Sequence, residues 1–249
     1  MNKKMALNAG AIVLVFAGLF GVTSANAALL VDRGLPTINL NNDAGSNRSN
    51  VAWVDGGTDP ADYWMVGDTI KNTSSSTWTI DTIRLWTVGA TGTTALWGGI
   101  DGSTIGLASA SGTASPATYS DASTYQGSSG APKGMFQIDF GVNITLAAGQ
   151  IYDFFLNGTG GQYTIPFAHA SNAALSGSPQ DGADGSMLWG EVVSGVFNQT
   201  SVQSWTSLNN GWDKASDVNV QAFGTVPEPA TLALFGLALA GFAFSRRKA

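Results

Sequence analysis

The sequence predicts an all-β body, an antiparallel β-sandwich of jelly-roll-like form, flanked by two short apolar end segments. Three observations predict it. Residues 28–225 contain fifteen aspartates but a single glutamate, and they are rich in Gly, Ser, Thr and Asn, a mixture that disfavours helix. Their apolar residues fall in short runs separated by turn residues. Several runs alternate apolar and polar residues, which is the period of a strand with one buried face.

Nine runs are long enough for strands. They are residues 51–54, 63–70, 77–88, 134–140, 142–146, 150–156, 162–168, 187–193 and 217–223. In residues 77–88 the apolar positions change from even to odd numbers between Ile80 and Ile83, so we expect a β-bulge at residues 81–83. Residues 99–134 have few large apolar side chains and are predicted to form a long surface excursion.

The first 27 residues have the parts of a signal peptide. Lys3 and Lys4 precede an uncharged apolar run, and Ala25 and Ala27 supply the small side chains that signal peptidase requires. We therefore expect export and cleavage after Ala27. An uncleaved membrane anchor is the alternative, which the shortness of the apolar run disfavours.

Residues 226–249 combine a proline-containing triplet, an uncharged apolar stretch and a cationic cluster. In chain order these are Pro227, Glu228 and Pro229, then residues 230–244, then Arg246, Arg247 and Lys248. As a helix the apolar stretch would span about 22 Å, which is short of the ~30 Å hydrocarbon core. By the positive-inside rule the cationic end stays in the cytoplasm, so the body lies outside.

This tail resembles the PEP-CTERM sorting signal over about 23 residues. The resemblance implies recognition by an exosortase, a membrane-embedded cysteine transpeptidase, with cleavage near the triplet and transfer or release of the body to the cell surface. It also implies a Gram-negative bacterium that makes exopolysaccharide. A plain C-terminal membrane anchor is the alternative. The chain would then divide into a signal peptide (1–27), an extracytoplasmic body (28–225) and a sorting segment (226–249).

Charge and cysteine content exclude several classes of function. The body has six Lys or Arg against sixteen acids, a net charge near −10, so it lacks the basic patch that a nucleic-acid partner needs. The chain has no cysteine, which excludes disulfides, a thiolate zinc site and a cysteine nucleophile.

Catalytic material is scarce, and we predict a protein that is not an enzyme. The body has one histidine, His169, and one glutamate, Glu191, and the sequence has no Gly-x-Ser-x-Gly nucleophile elbow. A secreted glycan-active enzyme that uses Glu191 with an aspartate is the weakest of the hypotheses kept open.

Two aspartate-rich loops offer hard oxygen ligands beside glycines. Their residues are Asp55, Asp59 and Asp62 in the first loop and Asp181 and Asp184 in the second. Calcium prefers such ligands, but Asp-Gly is also common in β-turns, and neither loop has EF-hand spacing. We therefore predict no cofactor, with calcium as the alternative.

Eight tryptophans lie in the body, and three of them sit among turn residues: Trp97, Trp205 and Trp212. Exposed tryptophans can stack on sugar rings, although core packing is the commoner role. The leading hypothesis is a non-enzymatic surface or matrix protein, associated with exopolysaccharide, that signal peptidase and exosortase process while the inner membrane holds it transiently. A carbohydrate-binding module is the alternative.

Overall fold

The structure is a computed structural model. It describes residues 27–35, 51–53, 63–88, 94–101, 105–112, 114–116, 124–126, 132–158, 167–169, 180–205 and 217–227. All regular structure in these residues is β-strand, so the all-β prediction is confirmed. The strands are β1 (Ala28–Asp32), β2 (Val51–Trp53), β3 (Tyr63–Lys71), β4 (Trp78–Val88), β5 (Thr94–Ile100), β6 (Gly106–Gly112), β7 (Ala114–Pro116), β8 (Thr124–Gln126), β9 (Pro132–Leu146), β10 (Ile151–Gly158), β11 (Phe167–His169), β12 (Met187–Val193), β13 (Val196–Trp205) and β14 (Val220–Thr225).

The strands form two antiparallel sheets. The first has the order β1-β14-β4-β11-β2, and β9 pairs with the other side of β4 and with β7 and β8. The second has the order β13-β12-β3-β10-β5-β6. One apolar core joins them, because buried side chains of both sheets pack in a single cluster that includes Ile83, Leu85, Phe140, Val66, Phe154 and Leu156. Burial of these side chains is the main source of stability in a chain without disulfides.

The bulge predicted in β4 is present. Its register shifts between Ile80 and Thr82 against both neighbouring strands, β9 and β14. Asp81 is the exposed residue at the shift, while Ile80 and Ile83 are both fully buried. The extra residue turns the even-numbered and odd-numbered apolar positions to the same core.

The prediction that residues 99–134 form a surface excursion is wrong for three segments, which are β-strands. β6 extends the second sheet beside β5, and β7 and β8 pair with β9. These segments are rich in Gly, Ala, Ser and Thr, so the apolar alternation that reveals a strand is weak, and main-chain hydrogen bonds to an existing strand define them instead.

The sequence prediction also missed β1, β5 and β13, and it divided β9 into two strands. Of the run predicted at residues 162–168, residues 162–166 lie outside the described part of the chain. The jelly-roll-like form stays a prediction.

Candidate functional site

The two ends of the body leave the first sheet side by side. β1 is its edge strand and pairs with β14, so that Ala28 lies opposite Gly224 and Leu29 lies opposite Phe223. Neighbouring strands are about 4.8 Å apart. The chain that follows the predicted signal cleavage site and the chain that leads to Pro227 therefore meet at one end of the sheet.

Gly224 lets the last strand pass directly against β4. A methyl group at this position would lie 2.0 Å from the carbonyl oxygen of Thr79, which is far inside van der Waals contact. β14 ends at Thr225, and Val226 and Pro227 beyond it are exposed. The other predicted processing residues lie outside the described part of the chain: Ala25, Glu228, Pro229, Arg246, Arg247 and Lys248.

A buried arginine ties the end of β1 to two other segments. Arg33 is fully buried, and its Nη1 forms an ion pair of 2.9 Å with Oδ2 of Asp68 on β3. Its Nη2 donates a hydrogen bond of 2.6 Å to the carbonyl oxygen of Thr69. Its Nε donates one of 3.1 Å to the carbonyl oxygen of Asp181. The guanidinium therefore joins β1, β3 and the loop before β12.

Asp68 is a buried carboxylate with several donors. Oδ1 accepts from the main-chain N–H of Thr69 and Oδ2 from that of Val218, both at 2.6 Å. Burial raises the pKa of Asp68 to about 7, and nearby Asp217 adds to the rise. The Arg33 ion pair and the two N–H donors lower the pKa but do not cancel the effect of burial.

Asp217 is the second buried acid of this group. Its two oxygens accept hydrogen bonds of 2.9 Å from the main-chain N–H groups of Asp184 and Gly185, and Oδ1 lies 3.9 Å from Nη1 of Arg33. Burial raises the pKa of Asp217 as well. We call Arg33, Asp68 and Asp217 the charge cluster. With both acids ionised its net charge is −1, and one proton bound by either acid makes it neutral.

Sequence reasoning missed the charge cluster, although one signal was present. Asp68 stands between Val66 and Ile70 in the alternating series of β3 that faces the core. An acid at such a position is buried, and a buried carboxylate needs a cation or several donors. Arg33 is one of six cations in the body, but the sequence does not show which of them reaches Asp68.

The second aspartate-rich loop packs against β1. Oδ2 of Asp181 accepts a hydrogen bond of 2.9 Å from the main-chain N–H of Asp32, and the carbonyl oxygens of Asp181 and Gly182 accept from Arg33. Among the described residues no group of three or more His, Cys, Asp or Glu side chains could hold a metal ion. The first loop, with Asp55, Asp59 and Asp62, is outside them, so the prediction of no cofactor and its alternative, a calcium site, both stay untested.

Trp97 lies on the outer face of the second sheet, away from the main core. It packs on a smaller apolar cluster that includes Phe155 and Phe197, whose ring centroids are 5.0 Å apart. Its ring is half-buried, and within the described structure its indole Nε1 is buried without a hydrogen-bond partner. Trp205 ends β13, and Trp212 is outside the described residues. Glycan binding by these tryptophans stays a prediction.

The single glutamate and the single histidine of the body lie in different sheets. Glu191 is in β12 of the second sheet, where Nδ2 of Asn198 lies 3.4 Å from its Oε2. His169 ends β11 in the first sheet. Neither is part of the charge cluster.

The C-terminal tail matches a known family model. A family model described as the PEP-CTERM protein-sorting motif matches residues 225–248. The chain carries a PEP-CTERM sorting motif. The match begins at Thr225, the last residue of β14, so the PEP-CTERM motif starts where the sheet ends. The motif implies an exported protein that an exosortase sorts through the membrane.

Neither the curated proteins nor the solved structures give a match to this chain. Among the described residues, none belongs to a helix that is long and apolar enough to cross a membrane. The apolar stretch of the PEP-CTERM motif, residues 230–244, lies outside those residues.

Proposed function

We propose that this protein is a non-enzymatic component of the cell surface or extracellular matrix, delivered by exosortase into an exopolysaccharide layer. The observation that carries the proposal is the junction between body and tail. The last strand ends at Thr225, and the match to the sorting motif begins there. Cleavage near Pro227 would leave β14 paired with both β1 and β4, so the released body keeps its sheets intact.

The use of buried polar groups supports a structural role. Nδ2 of Asn72 donates to the carbonyl oxygens of Ser76 and Leu146, which ties the β3–β4 connection to β9. Nδ2 of Asn219 donates to the carbonyl oxygens of Arg33 and Gly34, which ties β1 to the segment before β14. These side chains hold strands and loops together, which suits a domain that must stay folded outside the cell without disulfides.

Fractionation of native cells tests this proposal. In a strain that makes exopolysaccharide, the body is expected in the polysaccharide layer and is released when the polysaccharide is degraded. In a matched strain without exosortase, it is expected in the inner membrane with its tail attached. Recovery from the inner membrane in both strains would contradict the proposal.

A carbohydrate-binding module is the second candidate, and Trp97 favours it. A partly exposed indole ring on an outer sheet face is suited to stack on a sugar ring. Titration of tryptophan fluorescence with polysaccharides separates the candidates. Saturable quenching that Trp97→Ala abolishes supports the module, whereas a matrix protein without a defined glycan site gives no saturable change.

A further inference from the structure

The start of β1 and the end of β14 form one end of the first sheet, which we call the terminal end (residues 27–30 and 223–227). It has two exposed apolar side chains, Leu29 at 47% and Val226 at 39% exposed. Within the described residues, the other large apolar side chains this exposed are Val193 and Val196, which flank the β12–β13 turn of the second sheet. The exposed large apolar side chains of the described residues therefore fall at two places, the terminal end and the β12–β13 turn, and only the terminal end adjoins the sorting tail.

The terminal end also has no charged side chain of its own; the cationic groups near it are the guanidinium of Arg84, at 5.0 Å from the ring centroid of Phe223, and, after cleavage, the α-ammonium of Ala28. Residues 27–30 and 223–227 contain no acidic or basic side chain, in a body whose net charge is near −10. Their partners on β4, Thr79 and Ile80, are uncharged as well. Anionic lipids repel an acidic surface, so an end without acidic side chains approaches a bilayer at a lower electrostatic cost than the aspartate-rich parts of the body.

The sorting tail keeps the terminal end close to the bilayer. Five residue steps lead from Thr225 to Ala230, where the apolar stretch begins, and an extended chain covers at most about 18 Å in five steps. As a helix the apolar stretch is already shorter than the hydrocarbon core, at about 22 Å against ~30 Å. It has no spare length with which to lift the body away from the surface.

We propose that the terminal end is the membrane-facing surface of the body while the tail is inserted, with Leu29 and Val226 in contact with the lipid headgroup region. This inference rests on the proposed sorting function. Val226 is held there by its nearness to the tail. Leu29 lies near the start of the body's sequence, far from the tail along the chain, and the pairing of β1 with β14 brings it to the lipid. The contact fixes the orientation of the body and holds the sorting triplet at the membrane surface.

Lipid quenching of single labels tests this orientation. The chain has no cysteine, so one introduced cysteine carries a fluorophore at a unique position. The variants are Leu29→Cys, Val226→Cys as the report of tail insertion, and Val196→Cys as the control, since Val196 is 69% exposed on the other sheet. Each chain, spanning residues 28–249, is reconstituted into phosphatidylethanolamine–phosphatidylglycerol vesicles that contain headgroup nitroxide lipids.

We expect quenching at Leu29 to approach that at Val226 and to be several times that at Val196. Quenching at Leu29 no greater than at Val196, while Val226 is quenched, overturns this inference and leaves the sorting function standing. If the chain does not float with the vesicles and Val226 is not quenched, the sorting function itself fails, and the inference fails with it.

A charge at the terminal end gives a second test in native cells. Leu29→Glu places a carboxylate against the headgroups and is expected to slow removal of the tail several-fold. Val196→Glu makes a similar change at an exposed position of the second sheet and is expected to leave the rate unchanged. Circular dichroism verifies that both variants fold, and equal processing rates in the two would overturn the inference.

Discussion

Replacing Arg33 with methionine removes the cation from a cluster in which Asp68 and Asp217 are both buried. Methionine fills much of the same volume, so the main change is electrostatic. Breaking a buried ion pair by removing one partner typically destabilises a protein by about 3–5 kcal/mol. The carbonyl oxygens of Thr69 and Asp181 also lose their donor. Since small domains are stable by roughly 5–15 kcal/mol, we expect loss of about a fifth or more of the free energy of unfolding.

The size of this loss should depend on pH. At pH 8 the Arg33→Met variant must keep two buried carboxylates without a cation. At pH 5 the raised pKa of Asp68, about 7, allows that acid to be neutral, so the loss should be smaller. Urea unfolding at the two pH values, followed by tryptophan fluorescence, measures both effects.

The surface pair of Arg84 and Asp139 provides the matched control. Nε and Nη2 of Arg84 lie 2.7 Å from the two carboxylate oxygens, but both side chains are partly exposed. Solvent screens such a pair, so Arg84→Met is expected to cost less than about 1 kcal/mol at either pH. Equal losses in the two variants, or the same loss for Arg33→Met at pH 5 and pH 8, would refute the account of the charge cluster.

Three further predictions concern the same regions. Because burial raises the folded-state pKa of Asp68 from 3.8 to about 7, its contribution to stability is full below pH 4 and is lost as the pH rises through 7, by roughly 1 kcal/mol per pH unit. Asp68→Asn should flatten this slope in a pH series of urea unfolding, and an unchanged slope would assign it to other groups. Gly224→Ala should destabilise by about 2 kcal/mol or more, since the new methyl group meets the main chain of β4, whereas Gly141→Ala, with open space around it, should have little effect on the melting temperature. Deleting residues 246–248 should leave the body exported but misprocessed in native cells, and normal tail removal in the deletion would count against exosortase sorting.

Periodicity located several of the strands that carry large apolar side chains, although not β5 and β13. β4 and β12 could be placed within one residue, and the bulge in β4 followed from apolar residues that change parity. β6, β7 and β8 could not be predicted, because their small and polar residues give no apolar–polar alternation. They are strands because their main chains pair with β5 or β9. β1 was hidden by its position directly after the predicted cleavage site, where five residues give too short a pattern.

Local sequence predicted the sorting tail well, because its three parts are contiguous. The charge cluster could not be predicted in the same way, since Arg33, Asp68 and Asp217 come from distant segments that only the fold brings together. The same holds for the terminal end. Nothing in the sequence shows that Ala28 and Gly224 are partners, and the pairing of β1 with β14 is what places the two ends of the body, both predicted to be processed, together.

The intact mass of the protein recovered from native cells shows whether both ends are processed. Export and exosortase sorting predict a mature chain that begins at Ala28 and ends near Pro229, found outside the inner membrane, with any excess mass identifying the group attached by exosortase. A chain that still ends at Ala249 and is found in the inner membrane alone would contradict exosortase sorting.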